Sequence, residues 1–143
     1  MKNFFKLLGI AALVAAIGFF AVSCKTEDNN NENNDCELLD GVWDRGDIVV
    51  TFSNGIGVFT QINSNSGWIN VLNNGKIKIG DQKFRKLKKS GNLQWSGQER
   101  TYDTATENST DWNNTTITLS TDGQTLRANT PATIGPDSIY TKQ

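Results

Sequence analysis

From residue 48 onward, apolar and polar side chains alternate with a period close to two, and turn-forming residues interrupt the alternation every few positions. Ile48–Phe52 is a β-branched and aromatic run, and Ser53-Asn54-Gly55 turns it into a second, Ile56–Ile62. There Ile56, Val58 and Ile62 share one face and Phe59 takes the other. Trp68–Leu72 fits two periods, because Trp68, Val71 and Leu72 also make one helical turn. Asn74-Gly75 predicts a tight turn, and Lys76-Ile77-Lys78-Ile79 a strand with its isoleucines inward. Gly80-Asp81 leads into Lys83–Leu87, and Ser90-Gly91-Asn92 into Leu93–Tyr102, with Leu93 and Trp95 on one face. After a polar stretch, Asp103–Asp111, the alternation resumes in Thr115–Ser120, turns at Asp122-Gly123 into Thr125–Asn129, and closes with Ser138–Thr141.

No segment after residue 40 carries a helical stripe longer than two turns. Short strands joined by tight turns predict an all-β domain, an antiparallel up-and-down meander of about eight strands. A closed barrel removes the unpaired edges that an open sheet would leave, so the barrel is favoured and a β-sandwich is the alternative.

The front of the chain has a different pattern. Met1–Lys6 carries Lys2 and Lys6 and no acid, and Leu7–Ala21 is apolar or small throughout, shorter than the roughly 20 residues that span a bilayer as a helix. The run ends in Ala21-Val22-Ser23-Cys24, with polar residues at once. Ala-Val-Ser-Cys at this place resembles the lipobox of bacterial lipoproteins, with Ala21 where Leu is usual. That resemblance implies a signal helix over 1–23, cleavage before Cys24, and acyl chains on the Cys24 sulfur that anchor the mature protein to a membrane. Lys25–Asp35 (KTEDNNNENND) has no apolar residue and predicts a disordered tether. Its Lys-Thr-Glu-Asp start resembles the acidic export signal of surface-displayed lipoproteins, which implies the cell envelope, with the outer membrane favoured, on its surface or periplasmic face. The folded domain is then 36–143.

Charge and cysteine content narrow the chemistry. Loss of Lys2 and Lys6 leaves 12 basic residues against 15 acidic ones, a mild acidity that argues against nucleic acid. With Cys24 acylated, Cys36 has no intramolecular partner, so a disulfide scaffold is ruled out, and a structural zinc site lacks ligands. There is no His, so neither a Ser-His nor a Cys-His pair exists. Most candidate carboxylates (Asp40, Asp44, Asp47, Asp81, Asp122) fall in turns, where solvated turn chemistry is their ordinary role. Asp40, Asp44 and Asp47 lack the alternate spacing and glycine of a calcium loop. These observations predict a non-enzymatic protein without metal or cofactor.

Leu39-Asp40-Gly41-Val42-Trp43, followed by a strand, resembles the Gly-x-Trp opening of lipocalin-like barrels, with looser similarity through Phe59, Gly80-Asp81, Trp95 and Asp122–Leu126. The resemblance implies that Trp43 closes the floor of the barrel and that a small hydrophobic or amphipathic ligand sits in its mouth, near Trp68 and Trp112. Two further features offer partner contacts. Lys83–Lys89 holds five basic residues in seven, and a regular strand would put Lys83, Arg85, Leu87 and Lys89 on one face. Such a face suits an anionic lipid, glycan or acidic partner, or equally blunts an exposed edge. Four tryptophans, Trp43, Trp68, Trp95 and Trp112, either fill a core or, at Trp68 and Trp112, grip a partner. The alternative to a ligand-binding barrel is a protein–protein module, such as an inhibitor of a protease or lysozyme, or a structural surface lipoprotein.

Overall fold

The computed structural model describes residues 36–103, 110–133 and 136–143. The signal segment 1–23, Cys24, the tether 25–35 and residues 104–109 of the polar stretch lie outside the described residues. Eight strands follow in order: β1 (Gly41–Asp44), β2 (Ile48–Ser53), β3 (Ile56–Ile62), β4 (Gln82–Gly91), β5 (Gln94–Tyr102), β6 (Thr110–Leu119), β7 (Thr125–Asn129) and β8 (Ser138–Lys142). Each pairs antiparallel with the next, and β8 returns to β1 through Trp43 opposite Lys142 and Asp44 opposite Thr141, so the barrel closes. The all-β meander and the closed barrel are therefore as the alternation predicts, and the sandwich alternative is set aside.

The inward positions follow the period-two rule where the strands are regular. β2 buries Ile48, Val50 and Phe52, β6 buries Thr115, Ile117 and Leu119, and β7 buries Leu126 and Ala128. With Trp43, Phe59, Phe84, Trp95 and Tyr140 these make one continuous core. Burying each large side chain contributes about 1.5–3 kcal/mol relative to leaving it exposed.

The hairpin turns β2–β3, β4–β5 and β6–β7 share one end of the barrel with the incoming chain. There a single 3-10 turn, Glu37–Leu39, buries Leu39, whose carbonyl accepts from the Trp43 indole N–H at 2.7 Å. Asp40 accepts the Asn54 backbone N–H at 3.0 Å, which ties this turn to the β2–β3 hairpin. Asn54 and Gly55 both take positive φ, 51° and 75°, as a tight hairpin of this twist requires.

In β3 a bulge at Thr60, where Phe59 and Gln61 face the adjacent Val50 and Val49 of β2, brings Ile62 opposite the buried Ile48 and against the core, so it does not share a face with Ile56 and Val58. Two longer stretches also depart from the pattern. Trp68–Leu72 resolves as a helix, α1 (Trp68–Asn73), and the Asn74-Gly75 turn signal is its C-terminal cap rather than a hairpin. Lys76 N–H bonds Val71 O and Gly75 N–H bonds Leu72 O, with Gly75 at φ 69°, which is the Schellman arrangement. Lys76–Ile79 is consequently not a strand: Ile77 is buried, whereas Ile79 is half exposed. Gly80 and Asp81 then bond Phe59, carrying the chain into β4.

β4 is the second departure. Against β3, Gln82 faces Val58 and Phe84 faces Gly57, so two steps on β4 match one on β3. Against β5, Arg85 faces Gln98 and Lys88 faces Ser96, three steps against two, with Lys86 at φ 55°. These are β-bulges, and each inverts the facing of the residues beyond it. Lys83, Arg85, Leu87 and Lys89 therefore do not share a face. Lys83 and Leu87 are buried, Arg85 is half-buried on the outside, and Lys89 is exposed near the β4–β5 turn, opposite Trp95. Nor is β4 an edge strand, since it pairs on both sides.

Candidate functional site

Inside the barrel the bulge at the start of β4 places a lysine among aromatics. Lys83 is 2% exposed, and its ammonium lies 4.6 Å from the centroid of the Trp68 ring. It donates to Glu99 Oε1 at 2.7 Å and to the Arg100 carbonyl at 2.6 Å. Glu99 also accepts from the Thr130 hydroxyl; the Thr130 and Thr115 hydroxyls are 2.8 Å apart, and Thr115 donates to Asn129 O at 3.0 Å. The network joins β4, β5, β6 and the segment after β7. Burial pulls Lys83 down to about 8 from its usual range, against the opposing pull of Glu99.

A second polar group lies where β1 turns into β2. Arg45 clamps Asp47 with two bonds of 2.6 Å and reaches Ser138 Oγ at 3.2 Å. Asp47 in turn accepts from Ser66 Oγ at 2.8 Å, and Ser66 Oγ accepts the Trp68 backbone N–H at the start of α1. Burial works against the Asp47 charge, but the Arg45 contacts and Ser66 hold its carboxyl below the usual range. Arg45 also lies 5.9 Å from the Tyr140 ring. The Tyr140 hydroxyl is buried and has no hydrogen-bond partner among the described residues. Its ionisation is pushed well above the usual range by burial, and further by the Glu99 charge.

On the outside of the same strands lies a different surface. Arg85 Cζ sits 3.8 Å and Arg100 Cζ 4.9 Å from the Trp112 ring centroid, and Arg85 Nε donates to Gln98 Oε1 at 3.0 Å. Arg100 also faces Asp81 at 3.5 Å. Beside this stack an open groove of about 550 Å³ runs across β4, β5 and β6.

The sequence-predicted contacts thus separate. Trp68 is 1% exposed, packed on Phe59 and Tyr102 at 4.9 and 4.8 Å, and Lys83 is its buried neighbour, so neither offers a surface to a partner. Trp43 lies in the interior on β1. Arg85 and Trp112 come together on the outer face, and Lys89 lies apart from them toward the end of β4. Alternation alone misses Lys83 because a bulge is invisible to it. It does signal Glu99, which shares the inward parity of Trp95. It likewise signals Thr115, on the inward parity of Ile117 and Leu119, whereas Arg45, Arg100 and Thr130 carry no sequence signal of their own.

The turn carboxylates are engaged locally: Asp44 accepts from Gly46 N–H and Asp122 from Ser120 and Gln124. Among the described residues no group of three His, Cys, Asp or Glu is placed to hold a metal ion. Cys36 is buried, with its thiol 3.7 Å from Leu87 O. Comparison with known proteins finds no matching family model, curated protein or solved structure.

Proposed function

We propose that this chain is a bacterial lipoprotein, held in the cell envelope by acyl chains on Cys24, whose barrel works as a non-enzymatic binding module through its outer surface rather than by enclosing a ligand. The observation that carries the reading is the content of the barrel. Trp43, Trp68, Trp95, Tyr140, Phe52, Phe59 and Phe84 are all essentially unexposed, and the Lys83–Glu99 pair occupies the polar part of the interior. A ligand chamber needs small side chains facing an open volume. Here the inward positions are taken by rings, and Trp68, proposed from sequence as part of a ligand mouth, seals α1 onto Phe59 and Tyr102 instead.

The entry of the chain supports a consistent orientation. The Glu37–Leu39 turn sits at the end that carries the β2–β3, β4–β5 and β6–β7 turns, so the chain enters the barrel there. Native mass spectrometry of the full-length protein, purified from an exporting bacterial host, tests the interior directly. The expected spectrum is the acylated polypeptide alone. A stoichiometric small-molecule adduct that survives gentle desolvation would contradict the reading and restore the ligand-carrier alternative.

A further inference from the structure

We propose that the outer face of β4–β6 binds an acidic polysaccharide, a chain of carboxylate- or sulfate-bearing sugars. This deepens the surface-module reading and rests on it. The groove across these strands has Lys86 and Lys88 on one side, Ser96 and Gln98 along its middle, and Asn114 and Thr116 on the other. Gly97 lies between Ser96 and Gln98, and a Cβ there would stand 2.7 Å from Leu87 Cδ2 and 2.8 Å from Arg85 O. The β4 bulge thus packs directly on the β5 backbone, on the inward side of the strand shared by Trp95 and Glu99, and this close contact fixes the spacing of the two strands beneath the groove.

The charge on this face is one-sided. Arg85, Lys86, Lys88 and Arg100 all belong to it, and none of the outward groove positions is acidic. Asp81 touches Arg100 only at the margin. In a domain whose 11 basic and 11 acidic residues balance, this concentrates positive potential on one surface and favours a polyanion. Arg85 is held in place by the Trp112 ring and Gln98, so little side-chain freedom remains to be lost on binding.

The polar groups select among polyanions. Hydroxyls and amides at Ser96, Gln98, Asn114 and Thr116 match the hydroxyls of a sugar chain, donor for acceptor. A protein interface would instead want an apolar or aromatic centre. Stacking of nucleobases needs an open aromatic face, whereas Trp112 already has two guanidiniums over it. Insertion into a lipid surface needs exposed apolar side chains, and the large ones (Leu38, Val42, Ile79, Ile139) all lie off these three strands.

The test uses the full chain in detergent micelles, with binding to immobilised polygalacturonate and heparin measured against neutral dextran. Both acidic polymers should bind, dextran should not, and Lys86→Gln with Lys88→Gln should weaken binding about tenfold, with the remainder salt-sensitive. Ser96→Ala with Asn114→Ala should weaken polygalacturonate binding about fivefold through lost hydrogen bonds. All four positions are exposed or line the open groove, and an unchanged melting temperature establishes that the variants fold. The proposal is overturned by absence of binding at low salt, or by variants that bind like the parent. It is equally overturned if poly-glutamate competes as well as the polysaccharides, which would mean an acidic protein partner, or if sn-glycerol 3-phosphate displaces them, which would mean a lipid headgroup. A ligand found inside the barrel by mass spectrometry defeats the underlying reading, whereas a bare protein that ignores polygalacturonate defeats only the sugar assignment.

Discussion

At the scale of single residues, Lys83 shows how a buried charge is tolerated. Taking an ammonium out of water costs several kcal/mol, and only close partners offset that cost. Lys83 has them in Glu99 and the Arg100 carbonyl, and it faces the Trp68 ring. Removing one partner strands the other, so Lys83→Met should destabilise the fold by about 3–5 kcal/mol in denaturant titration, whereas Lys83→Met with Glu99→Leu should recover much of that loss. The pH dependence follows with its sign. Lys83 falls to about 8 in the folded state from 10.5, so between those values the unfolded chain binds more protons and stability from this group rises with pH. Tyr140 acts oppositely: its folded ionisation lies above the usual 10, so above pH 10 its contribution falls as pH rises. Thermal melting from pH 7.5 to 10 should therefore show a rise in the parent that the double variant lacks.

At the scale of elements, regular strands were legible and irregular ones were not. Ile56–Ile62 and Thr125–Asn129 match β3 and β7 to the residue in their bounds, because their flanking Gly turns agree with the barrel, but in β3 a bulge at Thr60 moves Ile62 from the face of Ile56 and Val58 to that of Phe59. Lys76–Ile79 misled, since a period of two over four residues also fits a segment leaving a helix cap, and Asn-Gly serves a Schellman motif as well as a hairpin. The basic run misled for a different reason. Its facing depends on bulges set by how β4 fits two neighbours, and nothing local in Lys83–Lys89 encodes them. Of the five candidate contacts, Arg85, Trp112 and Lys89 lie outside and Lys83 and Trp68 inside. The bulge in turn depends on Gly97. Gly97→Val would drive new atoms into Leu87 and the Arg85 carbonyl, and overpacking at such a contact should cost about 1–3 kcal/mol. Chemical denaturation should show that loss; a neutral result would mean that β4 can retreat from β5.

At the scale of the whole molecule, the barrel is filled inside and gathers basic side chains on one outer face, and the proposed anchor at Cys24 is tested separately from both. Cys24→Ala should abolish incorporation of labelled palmitate and release the protein from the membrane fraction, and retained labelling would remove the anchor from the account. The central claim, that recognition happens outside the barrel and not within it, can be read from the four tryptophans. Trp43, Trp68 and Trp95 are buried in the core, while Trp112 lies on the outer face under Arg85 and Arg100. Their indole N–H signals, observed by NMR in protein labelled with 15N-tryptophan, form a built-in map of three interior reporters and one exterior reporter. On titration with polysaccharide and lipid extracts of the host envelope, the account predicts that the Trp112 signal moves and the other three stay in place. Saturable movement of the Trp68 or Trp95 signal with Trp112 unmoved would contradict it.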